Sequence, residues 1–160
     1  MEMQSRRGIL TNAARAAIAA FGGAVAASRV SAQAQPLEKR NATQLPGVVH
    51  KGAPLPFTSV VAYGNMLYLS GIGCPNEGTI EEQTTWVFDQ VEKNLAAAGS
   101  SLQKVLQVEI YLEDIKSYDR MNAVYKTRNW GAVFPARNTI QPGALPASDR
   151  GIAVACLAYV

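Results

Sequence analysis

The sequence predicts an α+β domain, a mixed β-sheet with two helices on one of its faces. Three patterns lead there. Leu106, Val108, Ile110 and Leu112 alternate with Gln107, Glu109 and Tyr111, the period of a strand with one face covered. Val87, Phe88, Val91, Leu95 and Ala98 recur at helical spacing, the stripe of a helix lying on a core. Ile152 to Tyr159 is apolar on both faces, which suits a strand buried on both sides, central in the sheet or at a subunit contact.

In chain order, Phe57 to Tyr63 and Met66 to Ser70 are rich in β-formers, with Gly64-Asn65 between them as a hairpin turn. Gly71, Gly73 and Pro75 are expected to end the second strand. Thr79 and Glu82 have capping-box spacing, each side chain serving an orphan amide of the first helix, and Gly99 stops that helix. After the alternating strand, a second helix is expected from about Ser117 to Asn129, with Tyr118, Met121, Val124 and Tyr125 along one face. Phe134 to Ile140 leads into a short strand, Gly143 to Asp149 makes a loop, and the apolar strand closes the chain. The order β-β-α-β-α-β-β puts both helices on one side of the sheet. The other side then needs a cover, which predicts an oligomer; a domain of this size buries only ~65% of its unfolded surface by itself.

The chain has 160 residues, 48% of them apolar, 17% charged, with two Cys. These values suit one globular domain and exclude a disordered chain or a disulfide-stapled miniprotein. Residues 1–34 read as a leader of twin-arginine type. Ser5-Arg6-Arg7 opens it, an Ala-rich run follows from Ala13 to Ala27, and Ala32-Gln33-Ala34 offers a small-x-small cleavage site. The competing reading is an amphipathic helix that stays attached. A permanent anchor is disfavoured, because Arg15 interrupts a run already short for a bilayer of ~30 Å. The leader predicts a bacterial periplasmic or secreted protein with no membrane attachment after cleavage. Residues 35–56 carry four Pro and read as an arm or linker, and 57–160 as the folded domain.

Charge follows the same division. The leader holds four Arg against Glu2, while residues 35–160 hold 11 Lys plus Arg and 11 Asp plus Glu. The overall net charge of +3 thus belongs to the leader, and a neutral domain has no field to gather polyanions. Nucleic acid is therefore not an expected partner. In an oxidising compartment Cys74 and Cys156 could bridge; folding before export would leave two thiols. Two Cys and one His, His50 in the arm, do not make a zinc site.

No phosphate loop, Gly-x-Ser-x-Gly or Cys-x-x-Cys is present. Arg137, between an apolar Phe-Pro-Ala segment and a strand, is the most informative residue, because a planar guanidinium in partly dry surroundings wants an anion and fits a carboxylate. By position alone an internal salt bridge or an exposed strand arginine is the commoner explanation.

Several segments shift that balance. Tyr68-Leu69-Ser70-Gly71, Gln83-Thr84, Asn94-Leu95 with Ala98-Gly99, Tyr111-Leu112-Glu113-Asp114, Met121-Asn122-Ala123-Val124-Tyr125, Pro135-Ala136-Arg137 and Leu145-Pro146 occur in this order. Together, over about residues 52–160, they resemble the RidA/YjgF family, also labelled endoribonuclease L-PSP. The resemblance implies a homotrimer of chorismate-mutase-like subunits with clefts between neighbours. It implies hydrolysis of reactive imines and enamines, such as 2-iminopropanoate, to 2-keto acids and ammonia, with no cofactor or metal. It assigns Arg137 as the carboxylate anchor, Asn122 as its catalytic companion, and Ser70, Gly71, Thr139 and Phe57 as pocket residues.

Two positions depart from the family pattern. Phe57 stands where active members have a tyrosine. The glutamate of the last strand falls on Ala153 when counted from the C-terminus and on Ile152 when counted from Leu145-Pro146; Asp149 substitutes only with a register shift. Three functions follow: an exported imine/enamine deaminase, a non-catalytic binder of small carboxylates or keto acids, and, with least support, a ribonuclease.

Overall fold

A computed structural model of the chain describes residues 38–43, 49–50, 52–54, 56–146 and 149–160, all within one compact unit, Ala34–Val160. The expected leader at 1–34 lies outside the described residues. Among the described residues eight strands and two α-helices follow one another: β1 (Arg40–Asn41), β2 (Val49–His50), β3 (Ala53–Pro54), β4 (Val60–Tyr63), β5 (Met66–Cys74), α1 (Ile80–Ala97), β6 (Val105–Leu112), α2 (Tyr118–Tyr125), β7 (Ala136–Ile140) and β8 (Arg150–Tyr159).

Six strands form one sheet in the order β1-β4-β5-β8-β6-β7, and β2 with β3 makes a separate hairpin. Only β6 and β7 run parallel, joined through α2; the other pairs are antiparallel. The sheet is therefore mixed, and the doubly apolar β8 is central, between β5 and β6. Within the expected arm, Arg40 and Asn41 add a short edge strand against β4.

Leu67, Leu69, Val108, Ile110, Leu112, Ile152, Val154, Cys156 and Ala158 face the helices and are buried against Val87, Phe88, Val91 and Leu95 of α1. Each Val, Leu, Ile or Phe among them contributes ~1.5–3 kcal/mol of burial. Tyr68, Gln107, Glu109 and Tyr111 occupy the other face, which neither helix of the described residues covers.

Three local readings are corrected, and one left open, the state of the cysteines, is resolved. The strand expected at Phe57 begins at Val60. Strand β5 does not stop at Gly71: its register with β8 shifts between Leu69 and Ile72, a bulge that carries the ladder past the glycines until Pro75, which has no amide to donate. Helix α2 ends at Tyr125 rather than Asn129, because side chains capture its last carbonyls: the Trp130 indole N–H donates to Tyr125 O (2.8 Å) and the Thr127 hydroxyl to Val124 O (2.7 Å). The cysteines are free thiols. Cys74 lies opposite Arg150 and Cys156 opposite Leu69, about 20 Å apart along β8 at the usual rise, beyond any disulfide.

Candidate active site

Arg137 is reached by following one row of the sheet. Leu69 pairs with Cys156, Cys156 with Val108, and Val108 with Arg137. The first three are core residues; the fourth sits on the edge strand β7, where the core ends and α2 begins. An arginine suits this rim because its stem extends the apolar row while its head stays polar.

The head is held from three sides. Nη1 donates to Asn122 Oδ1 at 2.7 Å, Nη2 donates to the Tyr118 hydroxyl at 3.0 Å, and the guanidinium lies 4.5 Å over the Tyr125 ring. Tyr118, Asn122 and Tyr125 are spaced i, i+4, i+7, one face of α2. Among the described residues no carboxylate pairs with Arg137, in contrast to Arg120, Arg128 and Arg150. The internal salt bridge that position alone favoured is therefore not what holds it.

The surroundings match a cation awaiting a partner. Tyr118 has its pKa lowered, first by the hydrogen bond with Asn122 and then by the Arg137 charge. Tyr125 has its pKa raised, because burial outweighs the same charge. The Tyr125 hydroxyl and Thr139 Oγ1 are buried with no hydrogen-bond partner among the described residues, a cost normally relieved by a ligand or water. Thr139 is two residues beyond Arg137 on the same face of β7.

Ser70, Gly71 and Phe57 meet elsewhere. They line a depression of about 720 Å³ together with Gly73, Trp86, Pro146 and Asp149. Strand β4 pairs with Met66 to Leu69 only, so the bulged end of β5 has an open edge. The Ser70 hydroxyl donates to Thr58 O at 2.7 Å, closing one wall. Two strands, β8 and β6, separate β5 from β7, which sets the two groups at least about 14 Å apart within one chain.

The two counts for the family glutamate are also resolved in space. Ile152 is fully buried on the helix side. Ala153 points the opposite way, opposite Gly73 and Tyr111. Neither supplies an acid. Asp149 does reach the depression, beside a register shift of β5 against β8 between Gly73 and Cys74, as expected of it. Tyr118 and Tyr125 were missed as site residues, although their spacing with Asn122 on one helical face carried the signal.

The geometry defines a small α+β protein whose expected site residues fall into two groups on different strands of one sheet. The chain belongs to the endoribonuclease L-PSP family, whose model matches residues 50–160, and its structural neighbours are YjgF/RidA proteins. A crystal structure of a YjgF-family protein from Neisseria meningitidis superposes with a TM-score of 0.64 at 25% identity, covering 77% of this chain and 95% of that one. The mitochondrial protein mmf2 of Schizosaccharomyces pombe is 36% identical over 110 residues, 64% of this chain and 86% of its own length. Reactive Intermediate Deaminase A of Arabidopsis thaliana, named as chloroplastic, is 29% identical over 64% of this chain and 58% of its own length. The last two relatives correct the expected location: mmf2 is named as mitochondrial and the Arabidopsis protein as chloroplastic, and the periplasmic or secreted assignment is withdrawn.

Proposed function

We propose that this protein is a deaminase that hydrolyses small 2-imino and enamine acids to 2-keto acids and ammonia, in clefts between the subunits of a homotrimer. The observation that carries this reading is Arg137, a cation oriented by Asn122, Tyr118 and the Tyr125 ring with no carboxylate of the described chain to neutralise it. A guanidinium held in a plane binds a carboxylate through two parallel hydrogen bonds. Membership of a family that includes a protein named as a reactive intermediate deaminase supports the choice of substrate.

The chemistry asks little of the protein. An imine carbon is already electrophilic, so fixing the carboxylate and holding one water near the carbon supplies most of the advantage. Arg137 does the first, with Asn122 as the group that keeps the fork turned toward the cleft. The Thr139 and Tyr125 hydroxyls offer the unsatisfied polar atoms nearest the anchor. Ser70 and Gly71, from a neighbouring copy, form the opposite wall. No cofactor enters the reaction.

A second reading, a trimer that binds small keto acids without turnover, is favoured by Phe57 and Ala153, which lack the hydroxyl and the carboxylate of active members. Ribonuclease activity, which the family's name suggests, is disfavoured by the zero net charge of residues 35–160.

The test is imine disappearance. An amino-acid oxidase generates 2-iminopropanoate in situ and semicarbazide traps what remains. The protein lowers the trapped signal and Arg137→Ala abolishes that effect. A signal that stays level with wild-type protein, while pyruvate still binds in an Arg137-dependent way, establishes the binder instead.

A further inference from the structure

We infer that Asp149, from the loop that precedes β8, is the acid–base group of the cleft and takes the place of the missing strand glutamate; this rests on the deaminase reading above. Asp149 is the one carboxylate among the residues lining the depression that holds Phe57, Ser70 and Gly71. Its seat is built into the fold. A Cβ placed on Gly73 would fall on the Asp149 carboxyl group, so the carboxylate lies flush against the β5 backbone where any larger residue would expel it. Gly73 in turn pairs with Ala153. The acid therefore arrives from the loop at the very ladder position where the strand lost its own.

The main chain fixes the approach. Asp149 N–H donates to Pro146 O at 2.8 Å, turning the loop back, and Arg150 Nη1 donates to the Asp149 carbonyl at 3.2 Å. Arg150 directs its Nε to Glu77. Among the residues lining the depression no other side chain is titratable, and the charged groups beside the loop are Arg150 and the Glu77 that it holds.

The proton account closes. For the protonated imine, water oxygen bonds to carbon, the C=N π pair moves to nitrogen, and one water proton passes to Asp149. The product is a neutral carbinolamine. Asp149 then returns the proton to nitrogen, and the C–N bond breaks with its pair leaving on ammonia. The hydroxyl oxygen forms the carbonyl and releases its proton. Imine cation and water become keto acid, ammonia and one proton.

The experiment compares wild type, Asp149→Asn and Gly73→Ala in the trapping assay across pH, with pyruvate binding and light scattering as controls. Asp149→Asn is expected to lower kcat by about 10²-fold or more, to remove the acid limb of the rate profile and to leave pyruvate binding and assembly unchanged. Gly73→Ala, which displaces the carboxylate without removing it, should lose the same limb, so a folding failure in one variant leaves the other as the test. Adding Ala153→Glu to Asp149→Asn should restore turnover. Wild-type activity with Asp149→Asn unimpaired overturns this role and leaves the deaminase standing. A wild type without turnover overturns both.

Discussion

At the scale of single residues, the shape of Arg137 matters as much as its charge. Nη1 and Nη2 already hold Asn122 and Tyr118, so the remaining edge of the fork is turned in one direction before any ligand arrives. Arg137→Lys keeps the charge and discards the fork, and we expect KM for the imine to rise ~10–100-fold, the worth of a charge-assisted hydrogen bond, with kcat changing less. Tyr118→Phe removes one neutral partner; about fivefold in KM corresponds to ~1 kcal/mol for such a bond. A Tyr118 effect confined to kcat would place the hydroxyl in the chemistry instead. Arg137 and Asn122 were legible because each stands in a short motif at a distinctive spacing. Tyr118 and Tyr125 were not, because an aromatic on an amphipathic helix reads as core until a cation is seen lying on its ring. The partnership of Asp149 with Gly73 was hidden for another reason: 76 positions separate them in the chain, and only the ladder of β5 with β8 brings them together.

Elements were most legible where local chemistry and periodicity agree. Helix α1 begins at its capping box, with Thr79 Oγ1 accepting from the Glu82 amide (3.3 Å) and Glu82 Oε2 accepting from the Thr79 amide (2.8 Å). Thr79→Ala should cost ~1 kcal/mol in denaturant unfolding. The Thr79 backbone N–H is the chief cause of the lowered pKa of Glu82. A carboxylate with a lowered folded pKa contributes stability above its unfolded value and loses it as pH falls through the folded one, so Glu82→Gln should destabilise at neutral pH and become silent in acid. Legibility failed where tertiary contacts decide a boundary. A bulge carries β5 through Gly71 and Gly73, and the Trp130 indole ends α2 early; neither partner is near in sequence for the strand, and the helix periodicity itself runs on. Strand register also answers the cysteine question. The Cys156 thiol is pushed up to about 12 by burial and Cys74 is fully buried, so thiol reagents should leave both Cys unmodified in the folded protein and label two after unfolding, while reductant leaves Tm unchanged.

For the whole molecule, the proposed function turns on two groups of site residues on strands separated by β8 and β6, too far apart to grip one small acid. The face that no described helix covers carries Tyr68 and, further out, Ile140, both about half exposed, apolar area that a second copy would bury. If neighbouring copies complete each cleft head to tail, defects in opposite halves must complement each other. Arg137→Ala removes the anchor. Gly71→Val fills the other half with an isopropyl group; a Cβ there meets nothing within 4 Å, so the backbone is not forced to move. Each variant alone should be a trimer by light scattering and inactive in the trapping assay. Unfolded together in equal amounts and refolded, they should recover about a quarter of wild-type activity, since a cleft needs one intact half from each kind of chain. Recovery to that level locates the site between subunits without reference to any relative. Trimers that mix and stay inactive would put both halves of the chemistry within one chain, and the distance between β5 and β7 would then have to close by a rearrangement of the sheet.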